Sequence, residues 1–345
     1  MCQLAAYLGD RPLVKTLLDS IRAQEAYIGG HSTGVATLRE GGFDLYKDLG
    51  SLDGVVERTG FSELTGTAGI AHSRYLTEPT NDGRYNFLGA SHPWIDDTGK
   101  IALMHNGVIK NYRMHFDSLR ERHVFQSYIE EFDDVCDSEV ALHLLSEEVS
   151  KGARMSDALR NVAQELTGVF LLCAMHVDHP ETIWVANWLM PCYLAIGDGE
   201  VMFSSIRAGL RHVKGEISHV FQPPKNSIIE MTRGGVSIAP LDPMRETPVL
   251  KPNVFELSRQ IIETLNDVGE APLLPLSLTM FQRGMGEVFG LSDDEWGELR
   301  DAGFGDTNII LEVLDMLASE GKVNVRTDTR REYGVMVPRL MFSVS

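Results

Sequence analysis

The chain opens with Met1-Cys2-Gln3-Leu4-Ala5-Ala6-Tyr7-Leu8-Gly9, and the cysteine at the second position decides how the remaining sequence is interpreted. Removal of Met1 would leave Cys2 with a thiol and a free α-amine on one residue. An α-amine has a pKa near ~8 and acts as a base at neutral pH, while a thiolate is a strong nucleophile. The segment predicts either a nucleophile that carries its own base or an ordinary buried cysteine in a first strand. Taken alone, it favours the buried cysteine.

The composition is that of a globular protein. The chain has 345 residues, of which 43% are hydrophobic, and this length suffices for two domains with buried cores. No apolar run approaches the ~20 residues of a membrane-spanning helix, and no secretory leader is recognisable. The formal net charge of -18 opposes binding to nucleic acid or to anionic membranes. We therefore expect a cytoplasmic protein that binds neither.

Neither the cysteines nor the histidines follow a metal-ligand spacing along the sequence. The cysteines lack CxxC pairs, which argues against a disulfide framework or a cysteine-rich zinc site and fits a reducing compartment. We therefore expect no metal and no cofactor, and we place every cysteine except Cys2 in the core. The four cysteines are Cys2, Cys136, Cys173 and Cys192.

Hydrophobic spacing divides the first two thirds of the chain into helices and closely spaced strands. Helical spacing follows Pro12 and recurs at 109–122, 137–151 and 156–166. The short β-rich runs after residue 168 are too close together for the crossovers that parallel strands need. We predict an α+β fold in which helices cover an antiparallel β-sandwich. The predicted strands are 35–38, 67–72, 101–105, 169–175, 182–188, 192–196, 201–204, 227–232 and 236–238.

A second unit is predicted after a stretch that contains several prolines. The predicted boundaries are 2–240 for the first domain, 241–253 for a linker and 254–345 for the second unit. Helices followed by a final hairpin predict a small module similar to a winged helix. The supporting patterns are a helical run at 255–268, a capping box from Ser292 to Glu295, the helical spacing of Ile310, Val313, Leu314 and Leu317, and hairpin strands at 323–326 and 333–337.

Four further segments follow Cys2 in a recognisable order. Together they resemble the glutaminase domain of class II glutamine amidotransferases, which are N-terminal-nucleophile hydrolases. The resemblance runs from Cys2 to about Ile238 and is greatest to the glutaminases of glucosamine-6-phosphate synthase and amidophosphoribosyltransferase. It implies a four-layer α/β/β/α sandwich. The segments are Gly30-His31-Ser32-Thr33-Gly34-Val35-Ala36, Gly69-Ile70-Ala71-His72-Ser73-Arg74-Tyr75-Leu76-Thr77, His105-Asn106-Gly107-Val108-Ile109-Lys110-Asn111 and Asp137-Ser138-Glu139-Val140.

The resemblance assigns the reaction itself to three residues. Hydrolysis of the glutamine side-chain amide needs a nucleophile, a base and a site that stabilises the oxyanion. Cys2 would supply the thiol and the amine. The side-chain amide of Asn106 and the backbone N–H of Gly107 would form the oxyanion hole. We expect this pair just past the end of a strand, and a plain turn is the alternative use of an Asn-Gly pair.

Further residues match positions that hold the substrate in the family. Arg74 would bind the α-carboxylate, a task suited to guanidinium, and Asp137 would receive the α-ammonium group. Thr77 matches a position that lines the substrate. His92 matches a family His-Pro segment, with a structural histidine as the alternative. For Arg74 and Asp137 the alternatives are a structural ion pair and a helix cap.

The sequence departs from the family pattern at identifiable places. Gln3 stands beside the nucleophile where the family usually has glycine, and Ile28 stands where many members have arginine. The segment 78–90 also differs in length and composition. These differences concern the loop over the substrate and leave the predicted nucleophile, oxyanion hole and head-group contacts in place.

The resemblance predicts a stand-alone glutaminase subunit that releases ammonia from L-glutamine and passes it to a synthase on a separate chain. The acceptor would be a sugar phosphate or a keto acid. The tail, 245–345, would dock that synthase or a second copy of the chain. The alternative is a glutamine-sensing regulator with a degenerate glutaminase domain and a winged-helix tail. The acidic tail helices argue against binding of DNA by that tail.

Overall fold

Two antiparallel β-sheets form the centre of the molecule. The computed structural model describes residues 2–76, 84–213, 217, 219–304 and 307–345. In these residues the first sheet has seven strands in the order β11–β9–β10–β1–β4–β2–β3, and the second has six in the order β13–β12–β8–β7–β6–β5. The strands are β1 (Gln3–Leu8), β2 (Ser32–Arg39), β3 (Gly42–Leu49), β4 (Ala68–Arg74), β5 (Trp94–Ile95), β6 (Ile101–Ile109), β7 (Gly168–His176), β8 (Thr182–Trp188), β9 (Tyr193–Ile196), β10 (Val201–Ser204), β11 (His219–Phe221), β12 (Asn226–Thr232) and β13 (Gly235–Ala239).

Helices cover the outer faces of both sheets. Strand β1 is covered on both faces. Leu4 and Ala6 point into the hydrophobic cluster between the two sheets, whereas Ala5 and Tyr7 point into a second cluster that includes residues of α1 and α2. Helices α4 and α5 pack in the same way against the second sheet. Strands covered on both faces are nearly continuous apolar runs, as β1 is after Gln3. The helices are α1 (Leu13–Glu25), α2 (Leu52–Arg58), α3 (Tyr112–Leu119), α4 (Asp137–Ser150) and α5 (Met155–Glu165).

The predicted strands are present, and β8 and β10 have the predicted bounds. Strand β3 and helix α2 were not predicted. The signal for β3 exists, because Phe43 and Leu45 pack against the central cluster and alternate with polar residues. A two-residue turn at Glu40-Gly41 joins β3 to β2. Helix α3 begins later than the predicted 109 because β6 continues to Ile109.

The tail combines helices with a three-stranded sheet in the order β14–β16–β15. The capping box of α8 is confirmed, with the Ser292 side chain and the Glu295 side chain each accepting a hydrogen bond from the other residue's backbone. Helix α7 was missed because Pro275 lies in its first turn, where proline is tolerated but interrupts a helical pattern. The elements are α6 (Val254–Val268), β14 (Ala271–Pro272), α7 (Leu273–Gln282), α8 (Asp293–Ala302), α9 (Asn308–Ser319), β15 (Val323–Glu332) and β16 (Val335–Val344).

The tail shares its hydrophobic core with the two sheets. Leu257 and Leu273 of the tail belong to the same buried cluster as Leu4 and Met104 of the sheets. The backbone N–H of Leu340 also donates to the carbonyl of Ala26 at 2.7 Å. Residues 241–253 contain no helix or strand. In the described part of the chain, no helix is long and apolar enough to span a membrane.

Candidate active site

Cys2 directly precedes β1 and packs against the hydrophobic cluster between the two sheets. Its backbone nitrogen donates to Oδ1 of Asn106 on the opposite sheet at 2.8 Å. Its sulfur accepts from the backbone N–H of Tyr75 at 3.4 Å and lies 3.7 Å from the Tyr75 carbonyl. In the sequence as printed this nitrogen is a peptide N–H after Met1. Removal of Met1 would place a free α-amine next to Asn106.

The prediction that Asn106 and Gly107 lie just past a strand end is wrong. Both residues lie inside β6, whose pairing with β7 continues to Ile109 opposite Gly168. The strand was predicted to end at His105, and a turn was the alternative for Asn-Gly, but glycine inside a strand also marks a close approach of another backbone. Here Gly107 has φ 134°, and a Cβ would lie 2.1 Å from the carbonyl oxygen of Val169. Packing against β7 therefore requires glycine at this position.

The side chain of Asn106 has a hydrogen-bond donor that no described residue uses. Its Oδ1 accepts from Cys2, and within the described residues its Nδ2 makes no hydrogen bond. Because the nitrogen and the oxygen belong to one amide group, this donor lies close to the Cys2 nitrogen. This donor can therefore serve an oxygen atom of a ligand beside the thiol.

Arg74 is the last residue of β4 and follows Ser73, which pairs with Gln3. The register therefore continues with Arg74 beside Cys2. The residue is only 8% exposed, and one guanidinium nitrogen donates to the carbonyl of Tyr85 at 2.9 Å. Among the described residues it has no carboxylate partner within 4.0 Å, so the alternative of a structural ion pair is not seen there. A buried guanidinium without a counter-ion is suited to a ligand carboxylate.

Asp137 is the first residue of α4, as predicted. One carboxylate oxygen accepts from the backbone N–H of Ile109 at 2.8 Å, and the other lies 3.7 Å from Nδ1 of His105. The N-cap of α4 is Cys136, so Asp137 does not cap the helix. The carboxylate instead joins α4 to the end of β6, the strand that carries Asn106.

His92 lies in a buried aromatic stack. Its ring lies 3.9 Å from the ring of His72 and 4.1 Å from that of Trp94, measured between centroids. Neither ring nitrogen has a hydrogen-bond partner among the described residues, and burial lowers the pKa of His92 well below its usual value. This environment favours the structural alternative. Thr77, the remaining predicted substrate residue, lies outside the described residues.

The two departures beside the nucleophile are both buried. Gln3 is 2% exposed, and its Oε1 lies 2.9 Å from the hydroxyl of Ser205. Ile28 is 1% exposed and lines a small cavity next to Cys2. Leu273, Thr307 and Asn308 line the same cavity, so the tail closes one side of the space around the nucleophile.

The tail hairpin supplies contacts to the site that the sequence did not indicate. Nδ1 of buried His31 accepts from the backbone N–H of Leu76 at 2.8 Å, next to the residue that holds the Cys2 sulfur. The proton of the neutral ring is then on Nε2, which lies 2.9 Å from a carboxylate oxygen of Glu332. Arg339 donates to the same oxygen at 2.6 Å and to the carbonyl of Gly29 at 2.8 Å.

Electrostatics fix the protonation states of this group. Burial lowers the pKa of His31, so its ring is neutral at pH 7. Burial acts to raise the pKa of Glu332, but hydrogen bonds from His31 and Arg339 outweigh it and lower the pKa to about 2. The hairpin thus presents an ionised carboxylate to His31. Since 301 positions separate His31 from Glu332, no local pattern could have predicted the contact.

Known proteins match this chain in sequence and in fold. Residues 87–212 match the model of a glutamine amidotransferase domain. The glutamine–fructose-6-phosphate aminotransferase (isomerizing) of Thermococcus kodakarensis is 35% identical over 206 residues, which cover 59% of this chain and 32% of that protein. The corresponding protein of Streptomyces coelicolor is 30% identical over 246 residues, with coverage of 70% and 37%. The chain therefore spans about a third of the length of these curated relatives.

A solved structure agrees at the level of the fold. The glutamine phosphoribosylpyrophosphate amidotransferase of B. subtilis superposes with a TM-score of 0.60 at 17% identity, covering 77% of this chain and 58% of that one. Together with the arrangement around Cys2, these matches show that the chain contains a class II glutamine amidotransferase domain. This class consists of enzymes that hydrolyse the amide of glutamine. Within it, the sequence relatives named above are glutamine–fructose-6-phosphate aminotransferases.

Proposed function

We propose that this chain hydrolyses L-glutamine to glutamate and ammonia, with Cys2 as the nucleophile after removal of Met1. The observation that carries the proposal is the contact of the Cys2 nitrogen with Asn106 at 2.8 Å, with the sulfur held by Tyr75. One residue then provides both nucleophile and base, and its neighbour on the other sheet has an amide donor available. The proposed scaffold is the α/β/β/α sandwich of N-terminal-nucleophile hydrolases.

The proposed reaction proceeds through a thioester. The α-amine of Cys2 takes the thiol proton, and the thiolate attacks the carbonyl carbon of the side-chain amide. The negative charge on the oxygen is stabilised by Asn106 Nδ2 and by the backbone N–H of Gly107. The protonated amine then gives its proton to the leaving nitrogen, and the carbon–nitrogen bond breaks to release ammonia. Water attacks the thioester by the same proton transfers and releases glutamate.

Two oppositely charged residues would orient the substrate. The guanidinium of Arg74, which has no carboxylate partner among the described residues, suits the α-carboxylate, and Asp137 suits the α-ammonium group. Thr77 would line the substrate, and His92 would support the site from its buried stack. These two contacts would let the enzyme distinguish glutamine from simple amides, because each charged group of the amino-acid head would bind a residue of opposite charge.

The ammonia is proposed to pass to a synthase on a separate chain, and the tail is proposed to dock that synthase. The alternative occupant of the tail is a second copy of the chain, which would form a homo-oligomer. The printed names of the sequence relatives favour a sugar phosphate over a keto acid as the acceptor. The tail is proposed to be a winged-helix-like module that is integral to the glutaminase. The second candidate is a glutamine-sensing regulator, and the departures at Gln3 and Ile28 are the observations in its favour. We place the protein in the cytoplasm.

Glutamate release by tag-free protein tests the proposal. The wild-type chain should produce glutamate and ammonia in equal amounts, whereas Cys2→Ala should produce none while keeping its circular dichroism spectrum. An electrophilic glutamine analogue should label Cys2 and leave Cys136, Cys173 and Cys192 unmodified in peptide mass spectra. Retention of Met1 in fully active protein would reject the α-amine as base. Glutamine binding without turnover would favour the regulator.

A further inference from the structure

Three side chains that can bind a metal lie close together on the side of the second sheet that is covered by α3 and α4. Asp97 follows β5, His123 follows α3, and His143 lies in α4. One ligand atom of each lies within 4.8 Å of the corresponding atoms of the other two. Oδ2 of Asp97 lies 2.8 Å from Nδ1 of His123 and 3.8 Å from Nδ1 of His143. Their separation along the chain hides this cluster from any search by sequence spacing.

The outer nitrogens of both imidazoles face carboxylates. Nε2 of His123 lies 3.3 Å from Glu147, and Nε2 of His143 lies 4.0 Å from Glu139. Histidines that bind a metal usually direct their second ring nitrogen to a carboxylate or carbonyl, which fixes the tautomer and raises the basicity of the ligand nitrogen. His123 therefore has the surroundings of a ligand that binds through Nδ1, whereas Nε2 of His143 lies near a carboxylate without a hydrogen bond to it.

The buried environment of His143 also points to a bound ligand. The residue is 1% exposed, and neither ring nitrogen makes a hydrogen bond of ordinary geometry with the described residues. The backbone of Val124 lies close to the ring, but not in the geometry of a hydrogen bond. The ring packs 4.4 Å from that of His123, measured between centroids. A buried imidazole without hydrogen bonds is costly, and a shared metal would use its lone pair.

We propose that Asp97, His123 and His143 bind one zinc ion through Oδ2, Nδ1 and Nδ1, with water in the fourth position. Two imidazoles and a carboxylate suit this borderline-soft cation, and tetrahedral ligands at ~2.0–2.1 Å lie ~3.3 Å apart. The observed separations of 2.8 and 3.8 Å fall on either side of that value. The exposed Asp97 side chain leaves a path for the ion and its water.

The ion would have a structural role. It would tie α4 to the turn after β5 and to the segment after α3. His143 lies six residues after Asp137 on the same helix, a rise of ~9 Å along the axis. The site is therefore separate from the catalytic residues, but it would stabilise the helix that presents Asp137.

Calorimetric titration of zinc into tag-free, chelator-treated protein is the test. We expect one zinc per chain and a rise in the thermal midpoint, together with visible absorption bands when cobalt replaces zinc. Asp97→Asn and His143→Gln should remove saturable binding, and Glu147→Gln, which leaves all three ligands in place, should weaken it by ~10–100-fold. Circular dichroism checks that each variant is folded.

Two controls separate this site from other zinc-binding groups. His179→Gln changes another histidine pair, whose rings lie 5.5 Å apart, and should leave binding unchanged. Cys2→Ala removes a thiol that can bind zinc and should also leave it unchanged. Absence of saturable binding in the wild type would overturn the proposal. Unaltered affinity in both folded ligand variants, or loss of binding in Cys2→Ala, would overturn it as well.

Discussion

The side chain of Asn106 links two requirements of the proposed reaction. Its oxygen accepts from the Cys2 nitrogen, which orients the base, and this leaves its nitrogen as the donor for an oxyanion. Because an amide cannot reverse these roles without losing the first contact, the orientation of the catalytic donor is set before substrate binds. Such preorganised donors contribute more than donors that reorient during the reaction.

Asn106→Ala should reduce kcat for glutamine hydrolysis by ~100–1000-fold, equivalent to ~3–4 kcal/mol in the transition state. Steady-state kinetics of glutamate release would measure this. Asn161→Ala, on the exposed face of α5, is the matched control and should behave as the wild type. A change in KM alone would show that Asn106 binds the substrate without stabilising the oxyanion.

Arg74→Lys should mainly raise KM for glutamine. Lysine keeps the charge but loses the planar pair of donors that binds a carboxylate at two points. The same assay, extended to high glutamine concentration, would separate KM from kcat. Arg22→Lys, whose guanidinium forms ion pairs at the surface, controls for the substitution itself. An unchanged KM in the folded Arg74 variant would remove Arg74 from the substrate site.

At the scale of elements, the hairpin of β15 and β16 is part of the proposed site. Its two-residue turn places Tyr333 and Gly334 at φ 46° and 85°, the combination that suits a tight hairpin. The Tyr333 ring meets His31 edge-on at 4.8 Å between centroids. His31 in turn accepts from Leu76, so the hairpin fixes the segment that contacts the Cys2 sulfur.

The ion pair in this hairpin should make stability depend on pH. The pKa of Glu332 is lowered from 4.5 to about 2, so its ionised form stabilises the fold above pH ~4.5 and this contribution is lost as pH falls towards 2. The difference in unfolding free energy between wild type and Glu332→Gln should be largest at pH 7, at no more than ~3 kcal/mol, and should shrink by pH 2.5. Urea titrations at both pH values would measure it. A difference independent of pH would contradict the assignment.

Whether a feature could be predicted from the sequence depends on how far apart its interacting residues lie along the chain. Strands such as β8 follow from alternation, and the capping box of α8 follows from residues three apart. Cys2, Arg74 and Asp137 were predicted as site residues because the resemblance supplied their order. Asn106 contacts Cys2, but the strand predicted to end at His105 continues to Ile109. The contacts of His31 with Glu332 and of His123 with Asp97 depend on packing between distant segments, which leaves no periodic signal.

At the scale of the whole molecule, the tail and the sheets cannot be separated without exposing a core. Leu257, Leu273 and Phe342 share one buried cluster with Leu4 of β1. Truncation near Ile238 would therefore expose apolar surface and would confuse loss of folding with loss of a docking site. The contribution of the tail is better tested by changing single residues of the full chain.

Arg339→Met should lower kcat for glutamine by ~10–100-fold, although Arg339 lies far along the chain from Cys2. The residue is 3% exposed and holds Glu332 in place, and without it the support of His31 and the Leu76 segment is weakened. Arg326→Met is the matched control, since Arg326 lies in the same hairpin but pairs with Glu270 at the surface. Arg339→Lys should recover part of the rate. Full activity in a folded Arg339→Met variant would show that the hairpin only packs against the site, whereas equal loss in both methionine variants would indicate a general loss of hairpin stability.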